Sequence, residues 1–277
     1  MAKNIGIIAG GGQFPHLFTK AAQAAGRKVF IAGHRGETEA DLEGLADGFC
    51  WVKLGQLGKI IKFFKKEKVG EAVFLGAITK TKIFRDIFPD LKGLSLWNKI
   101  DVKQDDAILR AIAGELERDG IMVLESTCYL QHLLFPVGVL TKKKPSSQQQ
   151  SDISFGWQMA KALGRLDIGQ CVVVRNQTVL AAEAIEGTDA AIARGGALGK
   201  EEAVVVKVRK PDQDFRFDLP AIGTKTIATM VQAKARVLAV EAGQALLFDP
   251  DQVITEANRA GIIVVGLTAD DQDNPLP

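Results

Sequence analysis

The chain has 277 residues, of which 47% are hydrophobic and 25% are charged, and its formal net charge is +2. This composition is ordinary for a globular protein of two domains, excludes general disorder, and lacks the basic excess that is typical of nonspecific nucleic-acid binders. No apolar run approaches the roughly 18 residues that span a bilayer, and the first residues do not resemble a secretory signal, so we expect a cytoplasmic protein.

Strand-like and helix-like segments alternate through the first half of the chain. The predicted strands and helices, in chain order, cover residues 5–9, 14–25, 28–32, 50–52, 57–66, 72–75, 105–118 and 121–124. Strands that alternate with helices in this way favour a parallel sheet with right-handed crossovers. We therefore expect an α/β fold whose first domain is Rossmann-like and spans residues 1–140.

A composition break follows at residues 141–152, where lysines, a proline, serines and glutamines succeed one another. Such residues do not build a core, so this segment is predicted to be a linker or an exposed loop. The elements predicted beyond it are a helix at 154–163, a hairpin of 171–174 with 178–182, a strand at 203–208, and helices and strands at 226–234, 236–240, 250–260 and 262–265. Residues 153–277 are therefore expected to form a second, less regular α/β domain that carries the catalytic groups.

A glycine turn at Gly10, Gly11 and Gly12 connects the first predicted strand to the first predicted helix. Glycine lets backbone N–H groups approach an anion, and the helix N-terminus adds partial positive charge, so the turn predicts a phosphate or nucleotide site. The alternative is a tight connection with no ligand. NAD is disfavoured because the third glycine of the dinucleotide fingerprint is missing and Gly33, His34 and Arg35 stand where an acidic ribose partner is expected.

The segment from Lys210 to Gly223 contains two carboxylates that flank a guanidinium. In an extended strand Asp214, Arg216 and Asp218 share one face, and the intervening phenylalanines pack on the other. Carboxylates suit Mg²⁺ and arginine suits phosphate oxygens, so this pattern predicts a pyrophosphate site. The alternative is an edge strand with a ladder of salt bridges on its wet face.

Further polar residues cluster at the strand ends of the second domain. Residues 167–170 enter the predicted hairpin, Glu183 ends it, and residues 186–189 have the signature of a helix start. Asp189 is either part of the ligand site or a first-turn residue that interacts with the helix dipole. Cys50, Cys128 and Cys171 lie far apart in apolar runs and are expected to be buried free thiols of a reducing compartment.

Taken together, these segments resemble the UDP-2,3-diacylglucosamine pyrophosphatase family of lipid A biosynthesis, the two-domain type that is not related to calcineurin-like enzymes. The matching stretches occur in order along nearly the whole chain: residues 7–15, 76–80, 105–110, 167–170, 183–189 and 210–223, with Thr226. The resemblance implies a pyrophosphatase that hydrolyses UDP-2,3-diacylglucosamine to 2,3-diacylglucosamine 1-phosphate (lipid X) and UMP. It also implies Mg²⁺ as the cofactor, with Mn²⁺ as a substitute, and a substrate held by both domains.

Carried over position by position, the resemblance implies catalytic and substrate-binding residues. The catalytic group, with Asp218 as first choice for the essential carboxylate, consists of Asp218, Asp214, Arg216 and Asp189; the metal ligands implied are Asp218, Asp214 and Asp189. The substrate-binding group consists of Gly10, Gly11, Gly12, Gly76, Thr79, Lys80, Asp105, Asp106, Gln170, Glu183, Gly187, Thr188, Arg194, Lys210, Gly223 and Thr226. For Asp105 and Asp106, capping of a helix is the alternative to substrate binding.

The expected partners are a lipid-linked nucleotide sugar, the surface of the inner membrane and a second copy of the chain, with no nucleic acid. Ile83, Phe84, Ile87 and Phe88 share one helical face, which is either core or the wall of an acyl groove. The lysines and phenylalanines of residues 62–66 either contact lipid head groups or form an ordinary solvated face. Two other functions stay open at this point: a nucleotide-sugar dehydrogenase or reductase, and a phosphosugar sensor without turnover.

Overall fold

A computed structural model describes residues 4–79, 88–97, 105–199, 201–211, 213–217 and 219–269. The chain forms two compact units. Unit 1 consists of Met1–Gln131 together with Gln213–Asp218, and unit 2 consists of His132–Asp212 and Leu219–Pro277. The chain therefore passes from the first unit to the second, returns for one short segment, and then completes the second.

Unit 1 is built around a five-stranded sheet in which every pair of neighbouring strands is parallel. In chain order its elements are β1 (Asn4–Ala9), α1 (Phe14–Ala24), β2 (Lys28–His34), a 3₁₀ turn (Ala40–Leu45), β3 (Gly48–Val52), α2 (Leu57–Lys66), β4 (Glu71–Leu75), α3 (Leu91–Trp97), α4 (Asp105–Arg118) and β5 (Met122–Val123). The strand order is β3-β2-β1-β4-β5. The predicted parallel, Rossmann-like sheet is thus confirmed.

Helix α2 illustrates how the sequence positions these elements. Leu57, Ile60, Ile61 and Phe64 recur at helical spacing and are all buried against the sheet. The lysines cover the remaining surface, and one of them, Lys65, is paired with Asp119. Because Phe64 belongs to the core, the phenylalanines and lysines of residues 62–66 form an ordinary amphipathic helix.

Unit 2 contains a six-stranded mixed sheet in the order β6-β13-β11-β9-β7-β8 and a two-stranded parallel pair, β10-β12. In chain order its elements are a 3₁₀ turn (Gln131–Leu133), β6 (Gly138–Val139), α5 (Ser147–Arg165), β7 (Cys171–Arg175), β8 (Thr178–Ala182), α6 (Thr188–Gly199), β9 (Val204–Lys207), β10 (Ala221–Ile222), α7 (Thr224–Gln232), β11 (Val237–Glu241), β12 (Leu246–Leu247), α8 (Pro250–Ala260) and β13 (Ile263–Leu267). Strands β9, β11 and β13 are parallel, whereas β6, β7 and β8 run antiparallel to their neighbours. Apolar cores lie on both faces of the sheet, as expected for a second α/β domain.

The segment predicted to be a linker is helical from Ser147 onward. The hydroxyl of Ser146 accepts a hydrogen bond from the backbone N–H of Gln149, and the Gln149 side chain accepts one from the backbone of Ser146. This capping box starts helix α5 despite the polar composition of its first turn. Across the part of the chain described above, no helix is both long enough and apolar enough to cross a bilayer.

Candidate functional site

The glycine turn lies at the topological switch point of the unit 1 sheet, where β1 has β2 on one side and β4 on the other. In open parallel sheets this is the place where ligands bind, beyond the carboxyl ends of the strands. The turn after β1 pairs with the residues after β4: Gly11 N–H donates to the Ala77 carbonyl over 2.8 Å, and Ala77 N–H donates to the Gly11 carbonyl over 3.0 Å. The predicted residues Gly10, Gly11 and Gly76 are therefore brought together.

The glycines of this turn serve different needs. A Cβ atom on Gly10 would lie 2.4 Å from the Ala77 carbonyl oxygen, so that position requires glycine for the close pairing of the two loops. Gly12 has a positive φ of 92° and open space on its Cβ side. Gly12, unlike Gly10, therefore leaves room for a ligand beside it.

Two carboxylates that sequence reasoning overlooked reach this turn. Glu39 accepts a hydrogen bond from the Gly12 N–H over 2.9 Å. Glu37 accepts hydrogen bonds from both the backbone N–H and the hydroxyl of Thr79, over 3.1 and 3.0 Å. The sequence did contain a signal for these two carboxylates. Both follow strand β2, a few residues after the position where the dinucleotide fingerprint has its acidic ribose partner.

His34 anchors the end of β1 rather than carrying charge. Its side chain is buried, and its Nδ1 lies 2.9 Å from the Ala9 carbonyl oxygen, to which it donates as the Nδ1–H tautomer. Burial lowers the pKa of His34. The imidazole is thus neutral near pH 7 and fixes the backbone on which the glycine turn is built.

Residues 213–217 form a turn of unit 1, not the predicted extended strand. The Phe217 N–H donates to the Asp214 carbonyl over 3.1 Å, and the Arg216 N–H donates to the Asp214 carboxylate over 3.0 Å. An aspartate that binds the backbone two residues ahead stabilises a turn and competes with strand formation. Phe217 is buried and packs edge-to-face on Phe74, with ring centroids 5.4 Å apart.

The same turn brings the side chains of Asp214 and Arg216 together. The Arg216 guanidinium donates to both Asp214 carboxylate oxygens through Nε and to one of them through Nη2 over 2.8 Å. Its Nη1 donates to Glu117 over 3.0 Å. The hydrogen bond from Arg216 is the main cause that lowers the pKa of Asp214. The guanidinium predicted to hold phosphate is therefore bound by two carboxylates.

In unit 2, two predicted substrate-binding residues, Gln170 and Thr188, bind the buried carboxylate of a third, Glu183, which directly follows β8. One oxygen of Glu183 accepts from the Gln170 N–H over 3.2 Å, and the other accepts from the Thr188 hydroxyl over 2.9 Å. Gly187 precedes helix α6 with a φ of 86°. The helix start that the sequence indicated is thus built around Glu183.

The charged candidates of unit 2 are engaged in ion pairs. Asp189 binds Lys225 over 2.8 Å, and this hydrogen bond is the main cause that raises the pKa of Lys225. Arg194 binds Glu186 over 2.6 Å and the Ala182 carbonyl over 2.9 Å. Likewise, the ammonium of Lys210 donates to Asp167 over 2.6 Å. The partners Lys225, Glu186 and Asp167 had not been assigned roles from the sequence.

Gly223 and Thr226 lie at the start of helix α7, the former as its N-cap and the latter buried in its first turn. Sequence reasoning missed Lys207, a buried lysine at the end of β9, whose ammonium donates to the Ala221 carbonyl over 3.0 Å. A single lysine within the apolar run of residues 203–208 was the available signal.

Several predicted site positions fall outside the described residues. These are Lys80, Asp218, the acyl-groove candidates Ile83, Phe84 and Ile87, and the side chains of Asp105 and Asp106. Among the side chains that the structure does describe, no three of His, Cys, Asp or Glu cluster as metal ligands.

A family model described as the LpxI N-terminal domain matches residues 4–133, and one described as the LpxI C-terminal domain matches residues 136–265. The chain is 34% identical over 284 residues to the UDP-2,3-diacylglucosamine pyrophosphatase LpxI of Caulobacter vibrioides, and the alignment covers 99% of this chain and all of that protein. A solved structure of N5-carboxyaminoimidazole synthetase from Staphylococcus aureus, complexed with ADP, matches 63% of this chain and 39% of that chain at a TM-score of 0.25 and 17% identity.

Proposed function

We propose a function from the premise that this chain belongs to the LpxI family, whose two domain models together span most of its length. The chain hydrolyses UDP-2,3-diacylglucosamine to 2,3-diacylglucosamine 1-phosphate and UMP, a step of lipid A biosynthesis. The observation that carries this proposal is the full-length similarity to a relative named for this pyrophosphatase activity. The glycine turn at the switch point of unit 1 supports it, because nucleotides bind at such points.

In the proposed reaction, water cleaves one phosphoanhydride bond. The water oxygen forms a bond to one of the two phosphorus atoms, and the bond from that phosphorus to the bridging oxygen breaks. The bridging oxygen leaves on the other phosphate; one water proton passes to a carboxylate, and the second stays on the new phosphate oxygen until that group ionises. We assign that carboxylate to Asp218, because a positioned acid–base group is what this step requires.

Arg216 and Asp214 have a positioning role in this proposal. Their mutual hydrogen bonds and the burial of Phe217 hold residues 213–217 on unit 1, directly before Asp218 in the chain. Held in this way, residues 213–217 have few conformations to lose when the substrate binds. Such preorganisation lowers the barrier without direct contact with the reacting atoms.

We also propose that the enzyme uses Mg²⁺. Asp218, Asp214 and Asp189 supply only oxygen donors, which is the chemistry that Mg²⁺ prefers, and the substrate adds phosphate oxygens. Asp214 and Asp189 each bind a cationic side chain, which the ion would have to displace or share. Asp218, the essential carboxylate that the resemblance implies, is our first candidate to hold the ion. When bound, the ion would offset the negative charge of the pyrophosphate.

The acyl chains of such a substrate reside in a bilayer, so we propose that the enzyme acts in the cytoplasm at the inner-membrane surface. Binding to vesicles that contain the substrate, measured by sedimentation, tests this part. Self-association stays a prediction, for which light scattering of the purified chain is the measurement.

The experiment that tests the activity is incubation with UDP-2,3-diacylglucosamine and Mg²⁺ in H₂¹⁸O, followed by mass spectrometry. We expect both products, with one ¹⁸O atom in one of them. Label in UMP places the attack at the uridylyl phosphorus, and label in 2,3-diacylglucosamine 1-phosphate places it at the phosphorus on the sugar side. Unchanged substrate after long incubation would reject hydrolysis and favour a sensor, and NADH consumption would favour a dehydrogenase.

A further inference from the structure

Lys207 occupies an unusual place at the end of strand β9. Side chains alternate along this strand, so that Val204 and Val206 pack in one apolar core and Val205 packs in the other. By this alternation Lys207 lies on the same side as Val205. The side chain is buried, with only 6% of the residue exposed.

Among the described residues, no carboxylate balances the burial of this lysine. Its ammonium donates to the Ala221 carbonyl over 3.0 Å, and no carboxylate oxygen of the described residues lies within 4 Å of it. An ammonium has three N–H donors, so one protein acceptor leaves two of them for other groups. A buried cation normally has an anionic partner, because removing it from water is costly otherwise.

Two carboxylates of unit 2 in the region of Lys207 bind other groups. Both Glu183 and Asp189 act electrostatically on Cys171, as does Lys207, so the three charges share one region. Glu183 accepts from Gln170 and Thr188, and Asp189 binds Lys225. Within the described part of the chain, no carboxylate therefore occupies the remaining donors of Lys207, which can bind an anionic ligand.

The carbonyl that Lys207 binds lies just before the nine-residue helix α7. Its N-cap is Gly223, which has no side chain to bind the first N–H groups, and the first turn contains no acidic residue. The first N–H groups and the partial positive charge of a helix favour an anion there. Phosphate has several acceptor oxygens and can accept from an ammonium and from helix N–H groups at once.

We propose that Lys207 binds a phosphate group of the pyrophosphate substrate at the start of helix α7. This rests on the proposed function and adds to it the residue of unit 2 that supplies positive charge to the substrate. Lys207 is a binding residue in this assignment: it neutralises phosphate charge and moves no proton.

The test uses inorganic pyrophosphate as the probe, in EDTA, so that the readout needs neither metal nor turnover. Lys207→Met removes the charge and the donor but keeps the apolar stem, whereas Lys207→Gln removes the charge and keeps an N–H donor. Lys234→Met is the control, because Lys234 is an exposed lysine of the same unit. Titration calorimetry measures pyrophosphate affinity, and thermal unfolding measures stability with and without the probe.

For both Lys207 variants we expect a loss of pyrophosphate affinity of tenfold or more, with the control unchanged. Without the probe, the melting temperature of Lys207→Met should be equal to or above that of the wild type, because an unbalanced buried charge is gone. Affinity within twofold of the wild type in either folded variant would overturn the assignment, as would absence of pyrophosphate binding in the wild type. Failure of both variants to fold would make Lys207 structural and overturn it as well.

Failure of this inference is distinguishable from failure of the proposed function. A wild type that binds pyrophosphate through Lys207 but does not cleave UDP-2,3-diacylglucosamine rejects the proposed function alone. A wild type that cleaves this substrate, beside a Lys207→Gln variant with unchanged pyrophosphate affinity, rejects the assignment of Lys207 alone.

Discussion

Replacement of Phe217 by alanine tests whether the turn at residues 213–217 is held on unit 1 by its buried phenylalanine. The residue is 5% exposed and packs edge-to-face on Phe74 in the core of that unit. Truncation of a buried phenylalanine costs about 3–5 kcal/mol, of which an aromatic pair contributes roughly 0.5–1.5 kcal/mol. The measured loss of stability cannot exceed the free energy that holds the turn on unit 1. Once the truncation costs more than that, the turn detaches while the rest of unit 1 stays folded.

Two measurements separate these outcomes. Hydrogen exchange should show at least a hundredfold loss of protection for the amides of residues 216 and 217, since about 3 kcal/mol corresponds to a factor above 100 at 25 °C. Turnover of UDP-2,3-diacylglucosamine should fall with it, because Asp218 directly follows this turn in the chain. Leu91→Ala is the control, as Leu91 is 89% exposed and belongs to the same unit. Unchanged exchange at these amides together with wild-type turnover would refute the anchoring role of Phe217.

Four further predictions follow from the same structure. Asp218→Asn should lower kcat by roughly a hundredfold or more and leave substrate affinity nearly unchanged, whereas the exposed Asp41→Asn should turn over normally; near wild-type turnover of folded Asp218→Asn would contradict the assignment. EDTA should abolish turnover and Mg²⁺ or Mn²⁺ should restore it, so full activity after exhaustive chelation would exclude a metal requirement. The hydrogen bond from Arg216 lowers the pKa of Asp214 below its ordinary value of 3.8, so the ionised carboxylate stabilises the fold above about pH 4 and this stabilisation is lost as the pH falls further. The difference in melting temperature between the wild type and Asp214→Asn should therefore shrink below pH 4, and a constant difference would count against the ion pair. Ser146→Ala should destabilise unit 2 by about 1 kcal/mol in urea unfolding, and no change would show that the capping box is dispensable.

Most of the helices and strands could be predicted from the local spacing of apolar residues. The limits predicted for the helices at Leu57–Lys66 and Pro250–Ala260 agree with the structure, because apolar spacing and, in the second case, an initial proline are local signals. The hairpin of β7 and β8 was also confirmed, since its turn at Asn176 has a positive φ that asparagine tolerates. The capping box at Ser146 was readable too, but the polar composition around it favoured a linker.

Residues 213–217 could not be predicted from local pattern. Alternating charged and aromatic residues have the period of a strand, yet a strand needs a neighbour to receive its backbone hydrogen bonds, and none pairs with this segment in the described sheets. What decides its structure is the distant Phe74, on which Phe217 packs. That this segment belongs to unit 1 was likewise not predictable from local pattern, because it depends on contacts between residues far apart in the sequence.

The ion pairs of the candidate site could not be predicted from the local pattern either. The residue types were predicted, but their partners were not: Arg216, Arg194 and Lys210 bind Asp214, Glu186 and Asp167. Spacing along one chain segment does not show which carboxylate from another segment reaches an arginine or lysine. Lys225 is not among the predicted site residues, yet the fold places it on Asp189.

This pairing bears on how the protein can bind a doubly charged anion. A phosphate that recruits Arg216, Arg194 or Lys210 must compete with the carboxylate already bound there, so much of the attraction is cancelled by the broken ion pair. Lys207 has no such competitor among the described residues, and its charge is already removed from water in the free protein. Binding phosphate at Lys207 therefore costs little further desolvation of the lysine and relieves an existing penalty. On this reasoning the buried lysine contributes more to pyrophosphate affinity than any of the three more exposed and already paired cations.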